Sequence, residues 1–126
     1  GLLPVDLSNP REREKVAAAM PLPAPEAERA IALAQRGERA IGWVKLWDNF
    51  QQDGDVVSIT AGGITQVVPI LNQPTAVPVI YVPGQPLLIH GVKDGGGGIT
   101  VAVELTTGPV ALPPMSVGQV IELPVQ

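Results

Sequence analysis

Between Val56 and Gln126 the chain carries only four charged side chains, Lys93, Asp94, Glu104 and Glu122, and this constrains its fold more than any other feature. The stretch is cut into short apolar runs by Gly62-Gly63, Asn72-Gln73-Pro74, Pro83-Gly84, Asp94 to Gly98, Pro113-Pro114 and Gly118. Runs of this kind, rich in β-branched residues and bounded by turn formers, read as strands. They fall at Val56–Ala61, Ile64–Leu71, Ala76–Val82, Pro86–Val92, Ile99–Thr106 and Gln119–Val125, with a shorter one at Val110–Leu112. Alternation predicts that Val57, Ile59 and Ala61, and then Ile99, Val101, Val103 and Leu105, point inward. Short strands at roughly ten-residue spacing predict a mainly β fold, an antiparallel β-sandwich of Ig-like or jelly-roll type. Pro69, Pro78 and Pro86 should then lie at edges or bulges, because proline cannot donate to a ladder.

The first 39 residues have a different character, so the chain divides into an N-terminal arm and helical segment, residues 1–39, and a sandwich domain, residues 40–126. Gly1 to Ser8 is an apolar arm that Pro4 keeps extended at Leu3. It can dock on its own domain or on a neighbour's, through Leu2, Leu3, Val5 and Leu7. Asn9-Pro10-Arg11-Glu12 marks a helix start, with Asn9 as N-cap, Pro10 in the first turn and Glu12 three residues after the cap. That helix runs over Arg11–Met20 until Pro21 and Pro23 stop it. Pro25 opens a second helix with Ala27, Ala30, Ile31 and Ala34 on one face, and Gly37 ends it. Its alanine face buries little area, so it cannot be stable alone.

Residues Ala40 to Phe50 fit two patterns. As a strand, Ile41, Trp43, Lys45 and Trp47 share one face, and Val44, Leu46 and Asp48 the other. As a helix, Ala40, Trp43, Val44, Trp47 and Phe50 form a stripe. Gly42 and the β-branched and aromatic content favour the strand.

Composition narrows the function classes. A net charge of −4 argues against nucleic acid, which needs clustered Lys and Arg. No apolar run approaches the ~18 residues of a membrane span, and there is no cysteine for a disulfide, thiolate site or thiol nucleophile. The hydrophobic fraction of 45% is that of a folded chain. The sparsely charged β surface has two readings: neutral polar groups keep it in solution, or other copies cover it, since interface cores are depleted in charge.

Asp48, Asp53 and Asp55 lie within eight residues, and with Asp94 they form a candidate site for a hard cation such as Ca²⁺, which takes carboxylate and carbonyl oxygens. Asn49 and the Gln51 carbonyl would add ligands. The spacing is not that of an EF-hand loop. The favoured reading instead makes Asp53-Gly54 a hairpin turn and Asp55 a cap for nearby amides. No cofactor is required by the fold, and Ca²⁺ is the one these acids would hold. Gly95 to Gly98 lacks the lysine and helix of a phosphate loop; it is a flexible hairpin tip or a place where another backbone packs closely, the tip being favoured. His90 is the sole histidine; neither Ser58 nor Ser116 sits in a nucleophile motif, so a non-catalytic protein is expected. Trp43 and Trp47 on one face would make a sugar-stacking platform or supply core bulk, the core being favoured because the chain has only four aromatic residues.

Trp47-Asp48, then Asp53-Gly54-Asp55-Val56-Val57-Ser58-Ile59 and Ala61-Gly62-Gly63, resembles the opening strand pair of small bacterial exported β-sandwich modules; the likeness extends through Leu87 to Val103, about residues 47–105 in all. Such modules often carry an asparagine-rich late turn where this chain has Lys93-Asp94 and four glycines, so no ligand carries over. The resemblance implies a non-catalytic module that is secreted, periplasmic or on the cell surface. The expected function is a structural subunit that associates with itself, or with a larger surface assembly, through its uncharged β surface and its apolar arm. The alternative is a binding module for carbohydrate or another surface ligand, dependent on Ca²⁺.

Overall fold

Two antiparallel sheets, each carrying one half of a shared apolar core, make up the body of the computed structural model, which describes residues 1–125. Among the described residues the elements run β1 (Leu3–Pro4), α1 (Pro10–Ala19), α2 (Ala24–Gln35), β2 (Ala40–Trp47), β3 (Val56–Ala61), β4 (Ile64–Pro69), β5 (Thr75–Tyr81), β6 (Leu87–Lys93), β7 (Ala102–Leu105), β8 (Gly108–Ala111) and β9 (Val120–Leu123). The chain is mainly β, as the strand spacing predicts, and among the described residues no helix is long and apolar enough to cross a membrane.

The first sheet is built on β2. Its one edge pairs with β5 along Ala40–Leu46, and its other edge is shared end to end by β1, at Gly42–Trp43, and β7, at Lys45–Trp47. Beyond β7 lies β8. The second sheet has the order β4-β3-β6-β9. The hairpins β3–β4 and β7–β8 stay within a sheet, while the chain changes sheet between β2 and β3, β4 and β5, β5 and β6, β6 and β7, and β8 and β9. The inward residues follow the alternation: Val57, Ile59 and Ala61 on β3, Val44 and Leu46 on β2, and Ile99, Val101 and Val103 before and within β7 are all buried together. Leu105, expected inward, is only partly buried at the core margin.

Strand ends differ from the sequence reading where backbone pairing stops. The Ile99–Thr106 run splits: Ile99 makes an isolated bridge to Met115, and the ladder begins only at Ala102. Pro69 and Pro78 lie on β4 and β5, each paired on one side only, and Pro86 precedes β6. The Pro78 carbonyl accepts a hydrogen bond from buried Gln66 Nε2 at 2.9 Å, which stitches the open edges of the two sheets together.

The start of α1 and the end of α2 fall where local chemistry places them. Asn9 Oδ1 accepts from the Arg11 amide at 2.9 Å, and Pro10 opens α1. At the end of α2 the Gly37 amide donates to Ala34 O and the Glu38 amide to Leu33 O, the paired closure that a left-handed glycine permits. Val16, Met20, Ala27, Ala30, Ile31 and Ala34 pack on Ile41 and Ile80, the outer side of β2 and β5. The helices are therefore a lid on one sheet.

The arm docks on its own domain. Leu2 is buried in the sandwich core, Leu3 stands 60% exposed on the other side of β1, and Val5 and Leu7 lean on the lid. Gly42 makes this docking feasible, because a Cβ there would stand 2.4 Å from Leu2 Cβ. The glycine that spoke against a helix at the sequence level thus serves as the floor under the arm.

Candidate functional site

At one end of the sandwich, three carboxylates converge. Asp48 continues the inward alternation of Val44 and Leu46 one step past β2, so its side chain enters the core rather than solvent; it is 2% exposed. Asp55 immediately precedes β3 and is 1% exposed. Asp53, between them, is half-buried. One carboxylate oxygen from each lies within 4.8 Å of those of the others.

Each acid is held by a different set of donors. Asp48 Oδ1 accepts from the Phe50 amide at 3.0 Å and from Thr100 Oγ1 at 2.8 Å. Asp55 Oδ1 accepts from the Gly95 amide at 2.8 Å, and Oδ2 from the Thr100 amide at 3.4 Å. Asp48 Oδ2 and Asp53 Oδ1 are buried and have no hydrogen-bond partner among the described residues. Partial burial pushes the Asp53 carboxyl above its ordinary range, helped by the adjacent Asp55 carboxylate and by the negative charges of Asp48 and Asp94.

The loop bearing these acids is braced from β4–β5. Asn72 Nδ2 donates to the carbonyls of Asp48 and Phe50, both at 3.0 Å, and the Asn72 amide donates to Gln52 Oε1 at 2.8 Å. From the other side Gly95 lies flat against the loop: a Cβ on it would fall 1.7 Å from Asp53 O. The glycine run is therefore a close backbone approach at Gly95, where a flexible tip was favoured. Asp94 organises the rest of the run, accepting from the amides of Gly96 and Gly98.

Asp94 stands outside the converging trio, although its charge reaches Asp53. Asn49 is exposed. Asp53-Gly54 is not a β-hairpin turn, because β2 and β3 belong to different sheets and the segment is a crossing connection. Asp55 does cap amides, but those of Gly95 and Thr100, some 40 and 45 residues on, rather than its neighbours. Thr100, Gly95 and Asn72 carry much of this arrangement. Nothing local marks Thr100 or Asn72; only the one-charge, many-glycine turn after Lys93 hinted at Gly95.

Trp43 and Trp47 share a face, but neither enters the sandwich core. Trp43 is half-buried beside the lid and lines two hollows, one of about 190 Å³ with Leu3, Lys45, Glu104, Leu105 and Thr106 and one of about 390 Å³ with Leu3, Lys15, Ala19, Lys45 and Ala76. Only the larger reaches the several hundred Å³ typical of small-molecule pockets. His90 faces Ser58 across β6 and β3, and its Nδ1 is buried without a partner among the described residues.

The outer side of the second sheet is the other notable surface. The register aligns Val67, Ser58, His90 and Val120 in one row across β4, β3, β6 and β9, and Thr65, Thr60, Leu88 and Glu122 in the next. Val67 is 50% exposed, and Val92 and Val120 are each 44% exposed. Across these two rows Glu122 is the one carboxylate, and the lid lies on the opposite sheet. A scan against protein-family models finds no match to this chain, and searches of curated proteins and of solved structures find none either.

Proposed function

We propose that the protein is a non-catalytic structural subunit that associates with further copies of itself through the outer face of the β4-β3-β6-β9 sheet. One observation carries this reading: two aligned rows of that face hold a single charge, Glu122, between half-exposed Val67 and Val120 at the two edge strands. With one carboxylate among Val, Leu, Thr, Ser and His side chains, this face shares the charge depletion of an interface core. Exposed Leu3 on the arm adds an apolar contact on the first sheet. The resemblance across residues 47–105 supports export, to the periplasm, the medium or the cell surface.

Light scattering across a concentration series tests this. The wild type should associate, and the paired change Val67→Lys with Val120→Lys should leave a folded monomer, since exposed sites of this kind change stability by only about 0.5 kcal/mol. A wild type that stays monomeric at high concentration overturns the reading.

A second reading is favoured by the unpartnered buried oxygens of Asp48 and Asp53: a Ca²⁺-dependent module for carbohydrate or another surface ligand. The larger hollow beside Trp43 is lined by Leu3, Lys15, Ala19, Trp43, Lys45 and Ala76, with no carboxylate or amide side chain to grip sugar hydroxyls, so the cation is the better-supported part of that reading.

A further inference from the structure

We infer that the Asp48–Asp53–Asp55 trio binds one hard divalent cation of the Ca²⁺ class, and that the ion staples the β2–β3 connection to the segment from Gly95 to Thr100. This rests on the cation reading above and adds what the ion does.

The argument starts from charge. Three carboxylates converge within 4.8 Å, two of them almost wholly buried. Buried polar atoms in folded proteins are paired, and an unpaired one costs the desolvation it suffered. Here every Asp55 oxygen is matched by an amide, yet Asp48 Oδ2 and Asp53 Oδ1 are buried with no partner among the described residues. The donors are thus spent on the oxygens that orient the acids, and the unmatched oxygens are what a ligand would find. A ligand that satisfies several carboxylate oxygens at once is a cation. An all-oxygen set without histidine or cysteine selects the hard class, Ca²⁺ or Mg²⁺, and an irregular loop with one half-buried acid suits the larger ion, which completes its shell with carbonyls and water.

The coupling follows from who holds the acids. Asp48 and Asp55 are positioned by Thr100, and Asp55 also by the Gly95 amide. Gly95 in turn packs on the Asp53 carbonyl so closely that no side chain fits. An ion that draws the three carboxylates together tightens these same contacts, as outer donors around a metal fix its ligands. Gly95 and Thr100 act as positioning residues in this scheme. The connection between the two sheets and the Gly95–Thr100 turn would order as one unit.

The test uses the full chain stripped with EDTA. Calorimetric titration with CaCl₂ and with MgCl₂ measures binding, Tb³⁺ luminescence sensitised by tryptophan checks it optically, and hydrogen exchange follows peptides covering residues 48–55 and 94–100. We expect one Ca²⁺ per chain, weakened at least ~10-fold in Asp53→Asn, with exchange slowed in both segments together. Asp48→Asn should behave alike; if it fails to fold, Asp53→Asn, altered at a half-exposed position, still decides. No heat and no luminescence in the wild type overturns both the cation reading and the staple. Ca²⁺ binding that leaves exchange at residues 94–100 unchanged keeps the cation and overturns the staple alone.

Discussion

The chain builds two apolar clusters, and they are not equals. The sandwich interior is made of large branched side chains, among them Leu46, Ile59, Ile70, Leu87, Ile89 and Ile99, drawn from both sheets and almost fully buried. The lid cluster depends on Ala27, Ala30 and Ala34, with Val16, Met20 and Ile31, and closes only because Ile41 and Ile80 on the sheet complete it. Burying a Leu, Ile or Val side chain contributes about 1.5–3 kcal/mol, whereas an alanine methyl contributes about a third of that. The sandwich therefore carries its own stability, and the lid borrows the sheet's. The two helices should open locally while the strands stay closed.

The largest effect that would test this contrast is in the sandwich. Ile89→Ala removes a fully buried side chain from the centre of β6 and should cost about 2–5 kcal/mol in urea unfolding, with lid and strands melting together. A loss below 1 kcal/mol would mean that the sandwich is not the dominant core. Asn9→Ala strips the cap from α1 and should cost ~1 kcal/mol. Hydrogen exchange should place that loss in residues 10–35 alone; a matching loss in β3 and β6 would break the distinction between lid and sandwich.

The smallest effect is electrostatic, at the acidic end of the sandwich. Asp53 has its pKa raised in the folded protein, so the fold binds its proton more readily than the unfolded chain does. Its contribution favours folding at acid pH and is lost as pH rises from the ordinary carboxylate value of 3.8 through the raised one. In EDTA at neutral pH, Asp53→Asn should accordingly melt above the wild type, and the gap should close on acidification. Asp6, lowered by its hydrogen bonds from Ser8, contributes in the opposite sense but is common to both proteins. A wild type that melts higher than Asp53→Asn at neutral pH in EDTA would show that the carboxylate is not under strain.

Much of the fold is legible residue by residue. Val56–Ala61 is a strand at the expected bounds, Asn9 caps, Gly37 stops, and Ala40–Trp47 takes the strand form that Gly42 and its aromatic residues favour. These rest on local preference and on period, which need no partner. Less legible was the acidic end. The three aspartates stand out in the sequence, but the reason Asp48 is buried is its place as the next inward step after Leu46, and that depends on which face of β2 meets the core. Thr100 and Gly95 join the site across a separation of forty residues or more, through contacts that no neighbouring residue announces.

What the sequence determined by itself is the set of elements and their two faces: turn residues end strands, caps end helices, and alternation assigns each side chain a side. What only the tertiary structure decided is which sides meet. It laid the arm into the vacant edge of β2 beside β7, set the lid on one sheet and left the other bare, and brought Gly95 and Thr100 to the aspartates. The physical reason is that φ/ψ preference and hydrophobic period act over a few residues, while pairing register and close packing act between segments far apart in the chain. The charge-poor face and the acidic end are therefore both written in composition, but their meaning comes from what the fold places against them.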